Sequence, residues 1–168
     1  MFDIPPYIIR YRIEDVDDRD LAAWCVERGL RLVLVSGAFD PLHAGHLEHL
    51  RQVRGMGDVI VVALATDIIV KIGHGLNRPV FPFHQRASML LSFTAVHRIW
   101  KNAGPTAINA IELFRPSLYI KGPDYAGKQS VLRGHFLLRE REAVERLGGH
   151  LMFTAPTLET HSKTWLRA

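Results

Sequence analysis

Short apolar runs of strand length recur five times along this chain, separated by segments with helical spacing. The runs are Arg31–Val35, Asp58–Thr66, His97–Lys101, Ser117–Lys121 and His150–Thr154. The second is apolar almost without interruption, as suits a strand covered on both faces of a parallel sheet. Between the runs the expected helices are His46–Met56, with Leu47, Leu50 and Val53 on one face, and His84–Ala95. A third carries Pro105 in its first turn and ends near Arg115, and a fourth, Leu137–Leu147, is closed by Gly148-Gly149. This alternation with short joints predicts an α/β chain: a mostly parallel five-stranded sheet inside three αβα layers. Ligands in such sheets bind beyond the carboxyl ends of the strands, where the strand order reverses. The loops that follow strands are therefore the places to look for function.

Residues 1–29 read as an N-terminal arm and helix, and residues 30–168 as the main domain. The arm holds Pro5-Pro6 and the acidic cluster Glu14, Asp15, Asp17, Asp18 and Asp20. Asp17 or Asp18 is expected to cap a helix reaching about Arg28, with Leu21, Trp24, Cys25 and Leu30 inward and Gly29 as its stop. Lys71–Phe83 and Gly122–Gly134 read as loops, and a short helix is expected from Ser162. With 48% hydrophobic and 23% charged residues in 168, the chain can bury a core and is not disordered. The longest apolar run, Val59–Ala65, falls far short of the roughly 20 residues of a membrane helix. The N-terminus lacks the basic-then-apolar order of a signal peptide, so a cytoplasmic protein with no membrane association is expected. Cys25, the single cysteine, permits neither an internal disulfide nor a cysteine metal cage and reads as an inert buried thiol. Trp24, Leu90, Phe93 and Trp100 read as core. Arg139, Glu140, Arg141, Glu142, Glu145 and Arg146 read as a solvated helix face with i,i+3 and i,i+4 pairs.

The net charge is +4, and the basic residues form no long run. A localised anionic ligand accounts for this better than a nucleic-acid footprint. The loop after the first strand runs Ser36-Gly37-Ala38-Phe39-Asp40-Pro41-Leu42-His43-Ala44-Gly45-His46. Gly37 follows the strand where a side chain would obstruct a close ligand. His43 and His46 open the next helix, whose free N–H groups and positive dipole end form a seat for phosphate. Gly45 lets a nucleotide lie against the backbone. A zinc site built from His43, His46 and His49 is the competing reading, but it lacks a fourth ligand, and His49 falls one turn further on, off the pocket.

The string Gly37-x-Phe39-Asp40-x-x-His43-x-Gly45-His46 resembles the HxGH-containing motif of the cytidylyltransferase-like nucleotidyltransferases. Asn77-Arg78-Pro79-Val80 with Gln85-Arg86 resembles the Arg-Pro-Val…Gln-Arg segment of bacterial heptose-phosphate adenylyltransferase domains. Tyr119-Ile120-Lys121-Gly122-Pro123-Asp124-Tyr125 is similar to their Val-Lys-Gly-Gly-Asp-Tyr loop. His161-Ser162-Lys163-Thr164-Trp165-Leu166-Arg167 is similar to their C-terminal Ile-Ser-Ser-Thr-x-x-Arg block. Glycerol-phosphate cytidylyltransferases share this plan.

The resemblance implies a Rossmann-like nucleotidyltransferase. A phosphorylated sugar or polyol would attack the α-phosphate of ATP or CTP in line, and pyrophosphate would leave. Catalytic roles fall on His43, His46, Lys71 and Arg86, although Arg86 also suits a simple carboxylate pair. Nucleotide contacts fall on Ser36, Gly37, Ala38, Phe39, His43, Gly45, His46, Lys121, Gly122, Asp124, Tyr125, Ser162 and Thr164. Mg²⁺ is the implied cofactor, held mainly by the triphosphate and without a protein cage. His74 stands where the family tends to place a lysine, Pro123 replaces a glycine and its N–H, and Lys163 replaces a serine. These departures leave a nucleotide-binding module without catalysis as an alternative, beside a glycerol-3-phosphate-type cytidylyltransferase. The related adenylyltransferase domain is often fused to a sugar kinase. None lies in these 168 residues, so a kinase on a separate chain is the expected pathway partner. A homodimer is a further expectation.

Overall fold

The computed structural model describes residues 15–125 and 131–156. Five strands, β1 (Leu32–Gly37), β2 (Val59–Ala65), β3 (Arg98–Asn102), β4 (Leu118–Lys121) and β5 (His150–Phe153), form one parallel sheet in the order β3-β2-β1-β4-β5. The chain steps outward from β1 through β2 to β3, then returns to the other side of β1 as β4. The strand order reverses between β1 and β4, and this is where such a sheet opens a crevice.

The helices are α1 (Leu21–Glu27), α2 (Ala44–Arg54), α3 (Asp67–His74), α4 (Phe83–Leu91), α5 (Ile108–Phe114) and α6 (Val131–Arg146). The period-2 alternation of strand side chains divides the core into two layers. Leu32, Leu34, Val59 and Val61 meet Ala110, Ile111 and Phe114 of α5 and Val144 of α6 on one face. Val33, Val35, Ile60 and Val62 meet Leu50 and Val53 of α2 and Leu90 of α4 on the other. Every residue of β2 is buried, which matches its unbroken apolar run. Leu90 is fully buried, Phe93 and Trp24 pack partly buried against the two cores, and Trp100 meets Phe114 edge-on at 6.3 Å.

Several expectations change here. Leu21 and Cys25 of α1 lie in the same core layer as β1 and α5. Helix α1 starts only at Leu21, with Asp20 at its N-cap position making no side-chain cap bond. Lys71–Phe83 is not loop throughout: Asp67–His74 is helical, and Gly75, at φ +108°, ends it. Pro105 precedes α5 instead of opening it, and α6 begins at Val131, well before Leu137. Pro123–Tyr125 forms a 3₁₀ turn in what was expected to be open loop. Residues 1–14, and the helix expected from Ser162, lie outside the described residues. Among the described residues no helix is long and apolar enough to cross a membrane.

Glu140 departs furthest from expectation. Its neighbours' charges suggest a solvated face, yet it is 4% exposed. One carboxylate oxygen accepts the N–H of Ala107 just before α5 at 2.7 Å, and the other lies 3.1 Å from Lys121 Nζ. An α6 carboxylate thus ties the start of α5 to the end of β4.

Candidate active site

The site forms where β1 and β4 diverge, from the loop after β1, the start of α2 and the turn after β4. His43 is the N-cap of α2, with extended backbone, and its Nδ1 accepts the N–H of Gly45 at 3.1 Å. That bond assigns the His43 proton to Nε2. The His46 ring stacks on His43 with centroids 3.8 Å apart and meets Phe39 at 5.0 Å. His46 Nδ1 is buried and makes no hydrogen bond. Burial, with smaller contributions from His43 and His49, drives the His46 pKa down to about 3. The residue is neutral at physiological pH, and so donates a hydrogen bond rather than a full charge. The two imidazoles stand at the positive end of the α2 dipole, an arrangement suited to phosphate oxygens.

Phe39 takes φ +48° and is nearly fully buried. A bulky residue in this left-handed region costs about 1–2 kcal/mol, so its neighbours must hold it there. Asp40 supplies the hold. Its carboxylate accepts the backbone N–H groups of Val80 and Phe81 at 2.8 and 2.9 Å and lies 3.3 Å from Arg78 Nη1. Arg78 also donates to the Asp40 carbonyl at 2.9 Å. This latch fixes the loop after β1 to residues 78–81. Asp40 stands in the first block, but the sequence does not say what it binds.

Arg86 is fully buried, and four donations occupy its guanidinium. They go to the carbonyls of Phe81, Ala38 and Ala65 at 2.9, 2.7 and 2.9 Å and to the Asp67 carboxylate at 2.7 Å. The expected catalytic contact to phosphate therefore gives way to the carboxylate-pair reading. Arg86 pins the loops after β1 and β2 from beneath.

Lys121 also turns inward: its ammonium is buried, 2.9 Å from Ser36 Oγ and 3.1 Å from the Glu140 carboxylate. Burial opposes its charge, but Tyr119, Glu140 and Tyr125 outweigh that and raise its pKa above the ordinary lysine value. Ser36 also lies 2.7 Å from Tyr119 Oη, so its hydroxyl serves this network beneath the crevice. Ala38 contributes its carbonyl to Arg86. A Cβ on Gly37 would lie 3.1 Å from the Phe39 ring, so the missing side chain makes room for Phe39. The Gly45 N–H is used in the His43 cap. At Gly122 a Cβ would meet open space. Asp124 is exposed and Tyr125 half-buried in the turn after β4.

Lys71 is exposed on α3. It lines a cavity of about 520 Å³ with Asp67, Ile68, Leu76, Arg78 and Pro82. Asp67 joins that cavity to Arg86, and Arg78 joins it to Asp40. His74 closes the same helix. Ser162, Lys163, Thr164 and Arg167 lie outside the described residues. No group of three or more His, Cys, Asp or Glu side chains among the described residues converges as a metal cage, and His49 turns away to Thr154.

The family model described as cytidylyltransferase-like matches residues 34–162. The chain belongs to the cytidylyltransferase-like family. It is similar to the protein named bifunctional protein HldE from Bradyrhizobium sp., at 36% identity over 97% of this chain and 32% of that protein. It is also similar to the protein of the same name from Nitratiruptor sp., at 37% identity over 62% of this chain and 23% of that protein. The chain thus spans between about a quarter and a third of the length of these relatives. A solved lipopolysaccharide core biosynthesis protein from Thermoplasma volcanium shares the fold, with a TM-score of 0.58 at 22% identity, covering 74% of this chain and 94% of that one. A protein of unknown function from Archaeoglobus fulgidus does so at a TM-score of 0.53 and 18% identity, covering 75% and 99%.

Two buried histidines give the cytidylyltransferase-like domain an acid limit. Burial drives His49 down to about 4, with Lys121 adding to the effect and Asp124 opposing it. An unfolded chain takes up these protons near pH 6.5, whereas the folded chain resists until about 4 at His49 and about 3 at His46. Stability is therefore full above pH 6.5 and falls as pH drops through that window, by up to about 1.4 kcal/mol per pH unit for each histidine. Thermal melts from pH 7 to 4 should show a falling Tm, with a shallower slope in His49→Asn. An equal slope in that variant would remove His49 from the explanation.

Proposed function

We propose that this chain transfers a nucleotidyl group from ATP or CTP to a phosphorylated sugar or polyol and releases pyrophosphate. The observation that carries this reading is the stacked His43–His46 pair at the N-terminus of α2, at the reversal point of the sheet. Family membership and the similarity to HldE proteins support it.

An oxygen of the acceptor's phosphate attacks the α-phosphorus of the nucleotide. The bond between that phosphorus and the oxygen bridging to the β-phosphate breaks, and the electron pair leaves with pyrophosphate. The attacking group is already an anion, so no protein nucleophile or general base is required. What the protein supplies is alignment and stabilisation of charge on the phosphates. His43 and His46 donate through Nε2 to phosphate oxygens as charge moves toward the leaving group. Asp124 and Tyr125, in the turn after β4, flank the nucleoside. The Lys71 cavity suits the acceptor, with Lys71 toward its phosphate. Ser162 and Thr164 complete the triphosphate contacts. Mg²⁺, if it accompanied the nucleotide, would offset the triphosphate's charge. The donor set fits an ion carried this way: the Asp40 carboxylate is filled by its own donors, and the phosphates are the ion's natural oxygen ligands. Because the acceptor must already carry phosphate, a kinase acting on a free sugar or polyol supplies it.

The test is pyrophosphate release by the purified protein with Mg²⁺, pairing ATP and CTP with a panel of sugar and polyol phosphates. Release that requires one nucleotide and one acceptor is the expected outcome. A preference for CTP with glycerol phosphate would select the glycerol-phosphate cytidylyltransferase variant. Nucleotide binding with no release from any pair would favour the non-catalytic module.

A further inference from the structure

The buried pair Lys121–Glu140 plays no part in the chemistry above. Lys121 ends β4, and its ammonium lies 2.9 Å from Ser36 Oγ of β1. It also lies 4.6 Å from the centroid of the Tyr125 ring, in the turn after β4, and 5.2 Å from that of Tyr119. A cation over a ring face is attracted by the ring's quadrupole, more strongly where water is excluded. Lys121 is 5% exposed. The backbone brings the two side chains together. The Tyr125 N–H donates to the Gly122 carbonyl at 3.1 Å, and this tight turn returns residue 125 to the side chain of residue 121. Glu140 keeps the ammonium charged. Its carboxylate lies 3.1 Å from Nζ and is itself fixed by the Ala107 N–H at 2.7 Å.

We propose that Lys121 and Glu140 are positioning residues for the nucleotide's base. The buried ammonium holds one face of the Tyr125 ring, and the half-buried ring serves as the platform against which the base stacks. The proposal rests on the reading that the turn after β4 flanks the nucleoside. A tyrosine at a loop end loses rotamer freedom when a ligand orders it, and a ring fixed beforehand spares the ligand that cost. Stacking also accepts any base, because every base has a π face. The platform therefore adds affinity for ATP and CTP alike, and acts on the base rather than on the phosphates.

The experiment measures Kd for ATP, CTP and inorganic tripolyphosphate, which has no base, on the full chain and its variants, with a thermal melt of each. Lys121→Met combined with Glu140→Gln removes both charges together, and the glutamine still offers an oxygen to the Ala107 N–H. Tyr125→Leu removes the π face. The charge-pair variant should bind both nucleotides roughly 3- to 10-fold more weakly, the weight of about one cation–π contact, with tripolyphosphate unchanged. Tyr125→Leu should show the same selective loss. Adding it to the charge-pair variant should cost less than the product of the two effects, since both act through one ring. Glu140→Gln alone takes away only the counter-ion and should give a smaller loss of the same kind, which decides the matter if the charge-pair variant does not fold. Unmoved nucleotide affinity in a folded variant, a parallel loss for tripolyphosphate, or fully multiplicative effects with Tyr125→Leu would overturn the proposal and leave a merely structural ion pair, with the functional reading intact. If the wild-type chain binds neither ATP nor CTP, the functional reading fails and the proposal goes with it.

Discussion

His46→Ala should lower kcat for nucleotidyl transfer by roughly 10²–10³, the usual cost of removing one preorganised donor from a developing charge. The ring is neutral, with burial holding its pKa near 3, and the proposed donation to phosphate is through its remaining N–H. That N–H is the group lost. Nucleotide affinity should change less than kcat, because the donor matters most as charge shifts toward pyrophosphate. His46→Gln, which can place an N–H near Nε2, should retain more activity than His46→Ala. Steady-state kinetics beside a thermal melt checks this. If His46→Ala loses activity only in proportion to lost folded protein, the ring is structural.

Arg86→Met should instead destabilise the fold. It strands the carbonyls of Phe81, Ala38 and Ala65 and leaves Asp67 without its partner. Each buried acceptor left unpaired costs about 1–3 kcal/mol. A loss of about 3–5 kcal/mol, as for a broken buried ion pair, is the expectation in urea denaturation. Arg86→Lys should fall between the two, since a point charge cannot reproduce a planar fork reaching four acceptors. A variant within about 1 kcal/mol of wild type that has nonetheless lost activity would return Arg86 to direct phosphate contact.

The fate of Arg86 illustrates where the sequence is informative. The five strands were legible because parallel strands are apolar on both faces, and Val59–Ala65 is the clearest of them. The His43–His46 opening of α2 was legible because a motif sits at a strand–helix joint. Helix α3 was not, because Gly73, Gly75, Asn77 and Pro79 give its neighbourhood the composition of a loop, while in the folded chain Val70 of this helix is buried. Glu140 was hidden by its own context. A run of alternating charges reads as a solvated face, and only the packing of α6 on α5 shows that one carboxylate in it is buried against Lys121. Arg86, Asp40 and the His49–Thr154 contact share a cause: each is a polar group whose partners are distant in sequence, and spacing carries no trace of such partners. A charged residue in such a motif suggests ligand contact, yet both Arg86 and Lys121 face inward, Arg86 to three backbone carbonyls and Asp67, Lys121 to Ser36 and Glu140.

One measurement tests the account most directly: a single turnover with nucleotide labelled at the α-phosphorus and the acceptor that the panel selects. The label should pass entirely to the acceptor's phosphate, in step with one pyrophosphate per transfer, and never appear on the protein. Label left on the chain, or released as free nucleoside monophosphate independently of the acceptor, would contradict direct transfer at the His43–His46 site.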